Sequence, residues 1–220
     1  MNVAEFSAEM DVIYENINKN GAPGLDEYEK SVILTHAQEA LVKSVLQAEP
    51  SGDRFPELIT LLTSSSPTTN GFDGNFVFDS PTALLKVLNE TVTDGSDTYV
   101  VLPISNEQYQ VKLSKAYKYP PRRRAWRLGL DKPSASGTPS VEIVARPGIT
   151  LTNYTVRYVK KPEPIILADL TDVVPPGTIE GQTTPQTSQL NTGLHLEILK
   201  FAVTLAETYY YDKYGTDGDK

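Results

Sequence analysis

The run Tyr117-Lys118-Tyr119-Pro120-Pro121-Arg122-Arg123-Arg124-Ala125-Trp126-Arg127 holds the residue types with the most pointed chemistry in this chain. Guanidinium groups such as Arg122, Arg123, Arg124 and Arg127 grip carboxylates or phosphates through paired hydrogen bonds, and they stack on aromatic faces. Two prolines ahead of them make the approach extended and stiff, which suits an interface. Three partners fit: acids of the same chain, the acidic flank of a neighbouring subunit, and nucleic acid. The run belongs to a wider basic stretch, Lys112, Lys115, Lys118, the four arginines and Lys132, opposed by one acid, Asp131. The chain as a whole is formally −8, so any contact with DNA would be local rather than a high-affinity footprint.

Catalytic chemistry is harder to place. The two histidines, His36 and His195, fall in separate helical patterns, and a lone helical His is more often a satisfied structural group than a ligand. No two-His zinc helix, phosphate-binding glycine loop, nucleophile elbow or dinucleotide fingerprint is present. Asp73-Gly74-Asn75 and Asp217-Gly218-Asp219 are fragments of calcium-loop chemistry without the remaining ligands, and they read as turns. The carboxylates look like solvated helix faces. With no cysteine there is no thiol nucleophile, iron–sulfur cluster or disulfide framework. The expectation is no catalytic residue, no metal and no cofactor.

The elements that must carry the basic run follow from periodicity. Val3, Phe6, Met10, Ile13 and Ile17 mark a first helix, ended by Asn20-Gly21-Ala22-Pro23-Gly24. Asp26 with Glu29 makes a capping-box pattern for a second helix to about Ala48, with Ile33, Ala37, Ala40, Leu41, Ser44 and Val45 on one face. A short helix starts near Pro56. From about Phe72 the period becomes two: strands are predicted at 76–78, 84–93, 99–102, 125–130, 141–145 and 154–160, with Asp94-Gly95-Ser96-Asp97 turning a hairpin. A last helix spans about Leu194 to Tyr211, with Leu194, Ile198, Phe201, Ala202, Leu205 and Tyr209 as its apolar positions.

This layout predicts an α+β fold. Helices in 1–70 and 194–220 form a bundle, and residues 71–167 insert an antiparallel β-sandwich or small barrel. Residues 168–193, rich in Pro, Thr and Gln, form an extended arm or loop, expected to order only against neighbouring subunits because Ile179 is the one large aliphatic residue between Pro175 and Gln189. Met1–Met10 has no basic start and no apolar run approaches ~20 residues, so a soluble chain made in the cytoplasm is expected.

Four blocks resemble one family in order. They are Asp26–Glu39, Tyr119–Leu128 with its Tyr-Pro-Pro-Arg-Arg-Arg-Ala-Trp-Arg-Leu, Tyr154–Leu167 with its Tyr-Thr-Val-Arg-Tyr-Val-Lys-Lys-Pro, and Leu194–Leu199. Together they resemble the neck and tail-ring proteins of crAss-like phages of Bacteroides-type gut bacteria. The resemblance implies a structural virion protein: a dodecameric ring joining portal and tail and lining the DNA conduit. Its implied partners are further copies of itself, the portal protein, other neck and tail rings, and genomic DNA passing without sequence specificity; no membrane is implied. Arg122, Arg123, Arg124 and Arg127 are then expected at a subunit boundary or facing the channel. A different class, a β-sandwich module binding carbohydrate or protein, is the competing reading.

Overall fold

The computed structural model describes residues 1–17, 24–47, 55–66, 69–72, 75–81, 83–115, 118–129, 140–171 and 177–214. The expected helix stop at 20–23, both aspartate–glycine turns, Tyr117, Lys132 and the prolines at 175 and 176 lie outside them. The chain divides into two compact units, residues 1–61 with 162–220 and residues 62–161.

The first unit is helical. Helices α1 (Val3–Ile17), α2 (Glu27–Gln47) and α4 (His195–Tyr214) pack together, with a 3₁₀ helix at Phe55–Leu61 where the sequence predicts a short helix. Helices α1 and α2 each start on a built cap. The Asp26 carboxylate accepts from the Glu29 amide at 2.7 Å while Glu29 accepts from the Asp26 amide at 3.2 Å, as the pattern predicts. Asn2 and Glu5 repeat the device at α1.

Phe6, Met10 and Tyr14 form the buried side of α1, so its stripe is rotated slightly from the predicted one. On α4 the buried apolar residues are Ile198, Leu199, Ala202, Val203 and Ala206, whereas Phe201, Leu205 and Tyr209 are exposed. The α1–α2 pair is clamped by Lys30. Its ammonium is almost fully buried and reaches Asp11 at 2.7 Å, Glu27 at 3.0 Å and the Ser7 hydroxyl at 3.1 Å. Burial pulls its pKa down, but those hydrogen bonds and charges outweigh burial and hold it above the ordinary lysine value.

The buried face of α2 is partly polar. Ser31, Thr35 and Gln38, spaced so that they line one side of the helix, bond an extended stretch of main chain returning from the sheet. The Leu167 amide donates to Ser31 Oγ at 2.9 Å, the Ile165 amide donates to Thr35 Oγ1 at 3.1 Å, and Gln38 Nε2 donates to the Glu163 carbonyl at 2.8 Å. Gln38 also accepts from Ser188 Oγ at 2.5 Å, and Ser188 Oγ accepts from the Leu190 amide.

The segment expected as an arm is therefore, in its described residues, a packed loop of its own unit. Ile166 and Gln186 exchange main-chain bonds, Leu170 bonds Thr183, and Leu170, Ile179 and Leu190 are buried. A tight turn with Glu180 and Gly181 at positive φ closes Ile179 onto Gln182. Gly177 lies against the Tyr28 ring so closely that a Cβ would sit 2.8 Å from it. The segment's anchors in the described residues are the aliphatics Leu170, Ile179 and Leu190 and the polar side chain of Gln38 on α2.

The second unit is one open sheet of eight strands among the described residues. They are β1 (Leu62–Ser65), β2 (Thr69–Phe72), β3 (Asn75–Asp79), β4 (Leu84–Thr93), β5 (Thr98–Pro103), β6 (Arg124–Gly129), β7 (Ser140–Val144) and β8 (Asn153–Lys160), in the order β1-β8-β4-β5-β6-β7-β3-β2. The α+β class with helices at both ends stands, while the β part is a single mixed sheet and not two stacked antiparallel ones. All pairs are antiparallel except β5–β6, which aligns Val100 with Arg124 and Leu102 with Trp126. A parallel pair cannot close through a hairpin, and the crossover contains a helix not predicted from sequence, α3 (Asn106–Leu113).

One sheet face is filled by Phe78, Val92, Tyr99, Val101, Ala125, Ile143, Tyr154, Val156 and Tyr158. On the other, Trp126, Leu128 and Val144 pack with Leu102, Ile104 and Tyr109. The hairpin β4–β5 forms as predicted. The Asp94 carboxylate accepts from the Asp97 amide, the Tyr99 hydroxyl and the Ser96 amide, which hold its pKa down to about 2.

Two expected outcomes follow. Gln38→Leu removes the bonds to the Glu163 carbonyl and from the Ser188 hydroxyl, so it should destabilise the helical unit by about 2–4 kcal/mol in chemical denaturation. In the unaltered monomeric chain, the amides of Ile166, Leu170, Ile179 and Gln186 should resist hydrogen exchange; unprotected amides there would restore the arm.

A third prediction concerns His195, which is buried under Phe6 and held by the Leu190 carbonyl on Nε2 and the Met1 amine on Nδ1. Those partners fix the neutral tautomer with its proton on Nε2. Burial lowers the His195 pKa below 6.5, the Leu190 carbonyl partly opposing it and the Met1 charge adding to it. The unfolded chain then binds the proton first, so stability should fall as pH drops below about 6.5. Thermal melts at pH 7 and pH 5 should converge when His195 is replaced by Gln.

Candidate functional site: the basic crossover

Strand β6 and the turn before it carry the four candidate arginines, and the structure separates them into two groups. Arg122 and Arg123 form the turn, both exposed, and Arg124, also exposed, opens β6 opposite Val100. Arg123 has φ 61, the left-handed region that costs a non-glycine residue roughly 1–2 kcal/mol. Its guanidinium stands 3.5 Å from Asp97 on the neighbouring hairpin, an exposed pair of little energetic weight. Upstream, Lys115 and Lys118 are exposed, and Lys118 lies 5.7 Å from the Tyr119 ring.

Helix α3 sits on the sheet through one aromatic contact. Tyr109 meets Trp126 edge-on at 6.3 Å, and Lys112 Nζ lies 5.0 Å above the same ring. None of its residues is buried, and Val111 and Leu113 are 54% and 40% exposed. A Ser105–Gln108 capping box starts it. The crossover thus presents exposed Val111 and Leu113 followed in the chain by Lys115, Lys118, Arg122, Arg123 and Arg124.

Arg127 is different. It points to the filled face, where Nη1 lies 3.2 Å from Glu90 Oε1, and the same carboxylate oxygen accepts from the Tyr154 hydroxyl. Glu90 is 3% exposed and Arg127 25%. Burial, then the bond to Glu90, drives the Tyr154 pKa well above the ordinary phenol value. This acid–base–phenol cluster was not foreseen from sequence. Glu90 faces inward because β4 bulges: Val87 pairs with Tyr158 and Asn89 with Arg157, leaving Leu88 as the extra residue. The signal available in the sequence was a lone acid in an apolar strand, two residues before Val92.

The remaining candidates are placed as follows. His36 is exposed on α2, and His195 is buried in the helical unit. Among the described residues, no group of three or more His, Asp or Glu is arranged to hold a metal.

Charge is divided between the two units. Residues 62–161 hold 13 of the 20 Lys and Arg and 8 of the 28 Asp and Glu, leaving 7 and 20 for the rest. The sheet unit is therefore formally +5 and the helical unit −13, which together give the chain's −8.

Replacing Arg127 by Met strands the Glu90 carboxylate in the sheet interior. The expected cost is about 2–4 kcal/mol, below the fully buried limit because Arg127 is partly solvated. Adding Glu90→Leu should recover part of that loss, a coupling readable in a double-mutant cycle. Arg123→Gly should instead stabilise by about 1 kcal/mol by relieving the positive φ.

Comparison with known proteins bears on the whole chain. The family model described as phage tail ring protein 3/4 matches residues 1–58 and 70–217. The chain is 40% identical over 228 residues to "Ring protein 4/5" of Bacteroides phage crAss001, covering 96% of this chain and 94% of that one. It is 30% identical over 206 residues to "Ring protein 3" of the same phage, covering 83% and 84%.

Proposed function

We propose, from the premise that this chain belongs to the phage tail ring protein 3/4 family, that it is a structural subunit of a dodecameric ring joining portal and tail in the virion. Genomic DNA passes through that ring without sequence-specific contact, and the portal and other tail rings are its neighbours. Copies assemble in the host cytoplasm, and the chain performs no turnover. The observation that carries the reading is the 40% identity over nearly the full length of both chains, which takes in the helical and the sheet unit alike.

Physical features agree with it. A closed ring of identical subunits needs two different surfaces of one chain that complement each other, and a basic sheet unit with an acidic helical unit supplies opposite signs. A conduit must let DNA slide, and a net charge of −8 disfavours tight binding of the whole chain to phosphates. The buried charged groups Lys30, Glu90 and Arg127 are each paired inside their own unit. Among the described residues no helix is long and apolar enough to cross a membrane. Arg122, Arg123 and Arg124 are placed by this reading at a subunit boundary or facing the channel; Arg127 is left to its pairing with Glu90.

Mass photometry of the purified chain over a concentration series should reveal a species of about twelvefold monomer mass, and virion images should place it at the neck. Arg122→Gln/Arg123→Gln/Arg124→Gln should reduce that species and its salt sensitivity while leaving stability within about 0.5 kcal/mol. A chain monomeric at every concentration and missing from the neck would refute the assignment.

A further inference from the structure

Two exposed surfaces of this chain have matching composition and opposite charge. On α1, Ala4, Glu5, Ala8, Glu9, Val12 and Glu15 are all exposed and share one side of the helix, with small apolar residues along the middle and acids beside them. Val12 is 58% exposed. The β5–α3–β6 crossover carries Val111, Leu113, Lys115, Lys118, Arg122 and Arg124, each exposed. Each surface mixes exposed apolar residues with charge of one sign, and the two signs are opposite.

We propose that the exposed face of α1 in one copy receives the β5–α3–β6 crossover of the next copy, head to tail. This rests on the ring reading and adds to it the identity of the two mating surfaces. The occupant is a second copy of this chain because both complementary surfaces are present on it. The helical unit at −13 and the sheet unit at +5 also favour unlike over like encounters between copies. Val111, on the side of α3 away from Tyr109, supplies the apolar contact against Ala4, Ala8 and Val12, and the charges fix register. The crossover suits the role because α3 is held to its own sheet chiefly by Tyr109 and Lys112 on Trp126, which leaves its outward side free of packing within the unit.

Charge exchange tests this. One variant carries Lys115→Glu, Lys118→Glu and Arg122→Glu; a second carries Glu9→Lys and Glu15→Lys. All five positions are exposed, and folding is checked by circular dichroism and thermal melting. Where a reversed charge unfolds the chain, Gln at the same positions replaces it and the loss of salt sensitivity is read instead.

Sedimentation at 0.15 M salt should show each variant alone associating on the order of tenfold more weakly than the wild type. An equimolar mixture of the two, and a single chain carrying both exchanges, should regain association, because each restores unlike charges at every junction. Wild-type association should itself weaken at 1 M salt, where the screening length falls to about 3 Å.

Variants that associate like the wild type, or that are impaired and stay so in the mixture, overturn the pairing while leaving the ring reading intact. A crossover variant that assembles normally but loses retention of duplex DNA assigns the basic surface to nucleic acid and also overturns it. A wild-type chain that does not self-associate at any concentration removes the ring reading and this inference together.

Discussion

Residues 163–167 are extended main chain that pairs with other main chain at Ile166 and Gln186, and side chains of α2 bond Glu163, Ile165 and Leu167. Buried amides and carbonyls must find partners. Here Ser31, Thr35 and Gln38 present two hydroxyls and a carboxamide at one-turn intervals, close to the repeat at which the extended chain offers its own groups. The rest of the helical unit depends on that match. It fixes where the chain re-enters from the sheet, and through Gln38 and Ser188 it anchors the far end of the following loop. The loop then delivers Leu194 and His195 to begin α4. An all-aliphatic α2 would bury more apolar surface yet leave those main-chain groups unpaired, at roughly 1–3 kcal/mol each.

The sheet unit depends on a comparable departure from regularity. Six of the seven neighbouring pairs in the eight-stranded sheet are antiparallel, and the parallel β5–β6 pair obliges the chain to cross over. That detour is where α3, Pro120-Pro121 and the arginine turn reside, so the topology that completes the sheet also projects the basic residues. The β4 bulge acts inward in the same way. By inserting Leu88 it turns Glu90 toward Tyr154, and Arg127 then lies on the same face as Ala125 to meet it. One arginine of the four is thus spent on holding the sheet, and the other three are left outside.

The sequence disclosed what depends on local pattern. The Asp26–Glu29 cap, the Asp94–Asp97 turn and six strands were readable because capping boxes, turn residues and period-two alternation are written in neighbouring residues. Helix α3 was not readable: only Val111 and Leu113 with Tyr109 interrupt its polar run, and they make no continuous stripe. Strands β1 and β2 are four residues each, too short for alternation to register. The buried polar face of α2 was not readable, because Ser31, Thr35 and Gln38 look solvent-facing until the chain at 163–167 is laid over them. The fate of Arg127 turned on a bulge in a distant strand, which no local reading of the arginine run contains. Phe201, Leu205 and Tyr209 have helical spacing yet stay exposed, since the burial arc of α4 is set by where α1 and α2 lie.

Formal charge totals alone would not hold copies together. At physiological salt, exposed charges farther apart than about 8 Å scarcely sense each other, so +5 and −13 act only where side chains come within a few ångströms. An exposed ion pair contributes about 0–1 kcal/mol, and Arg123 with Asp97 at 3.5 Å is of that kind within one chain. A stable junction must therefore draw its free energy from apolar area, and charge must choose which apolar areas meet. Val111 is modest in size, as are Ala4, Ala8 and Val12. Small contacts repeated around a closed ring suit that division of labour, because closure links every junction to the others and no single one has to be strong. The same modesty keeps an unassembled subunit from exposing the large apolar patch that would make it aggregate.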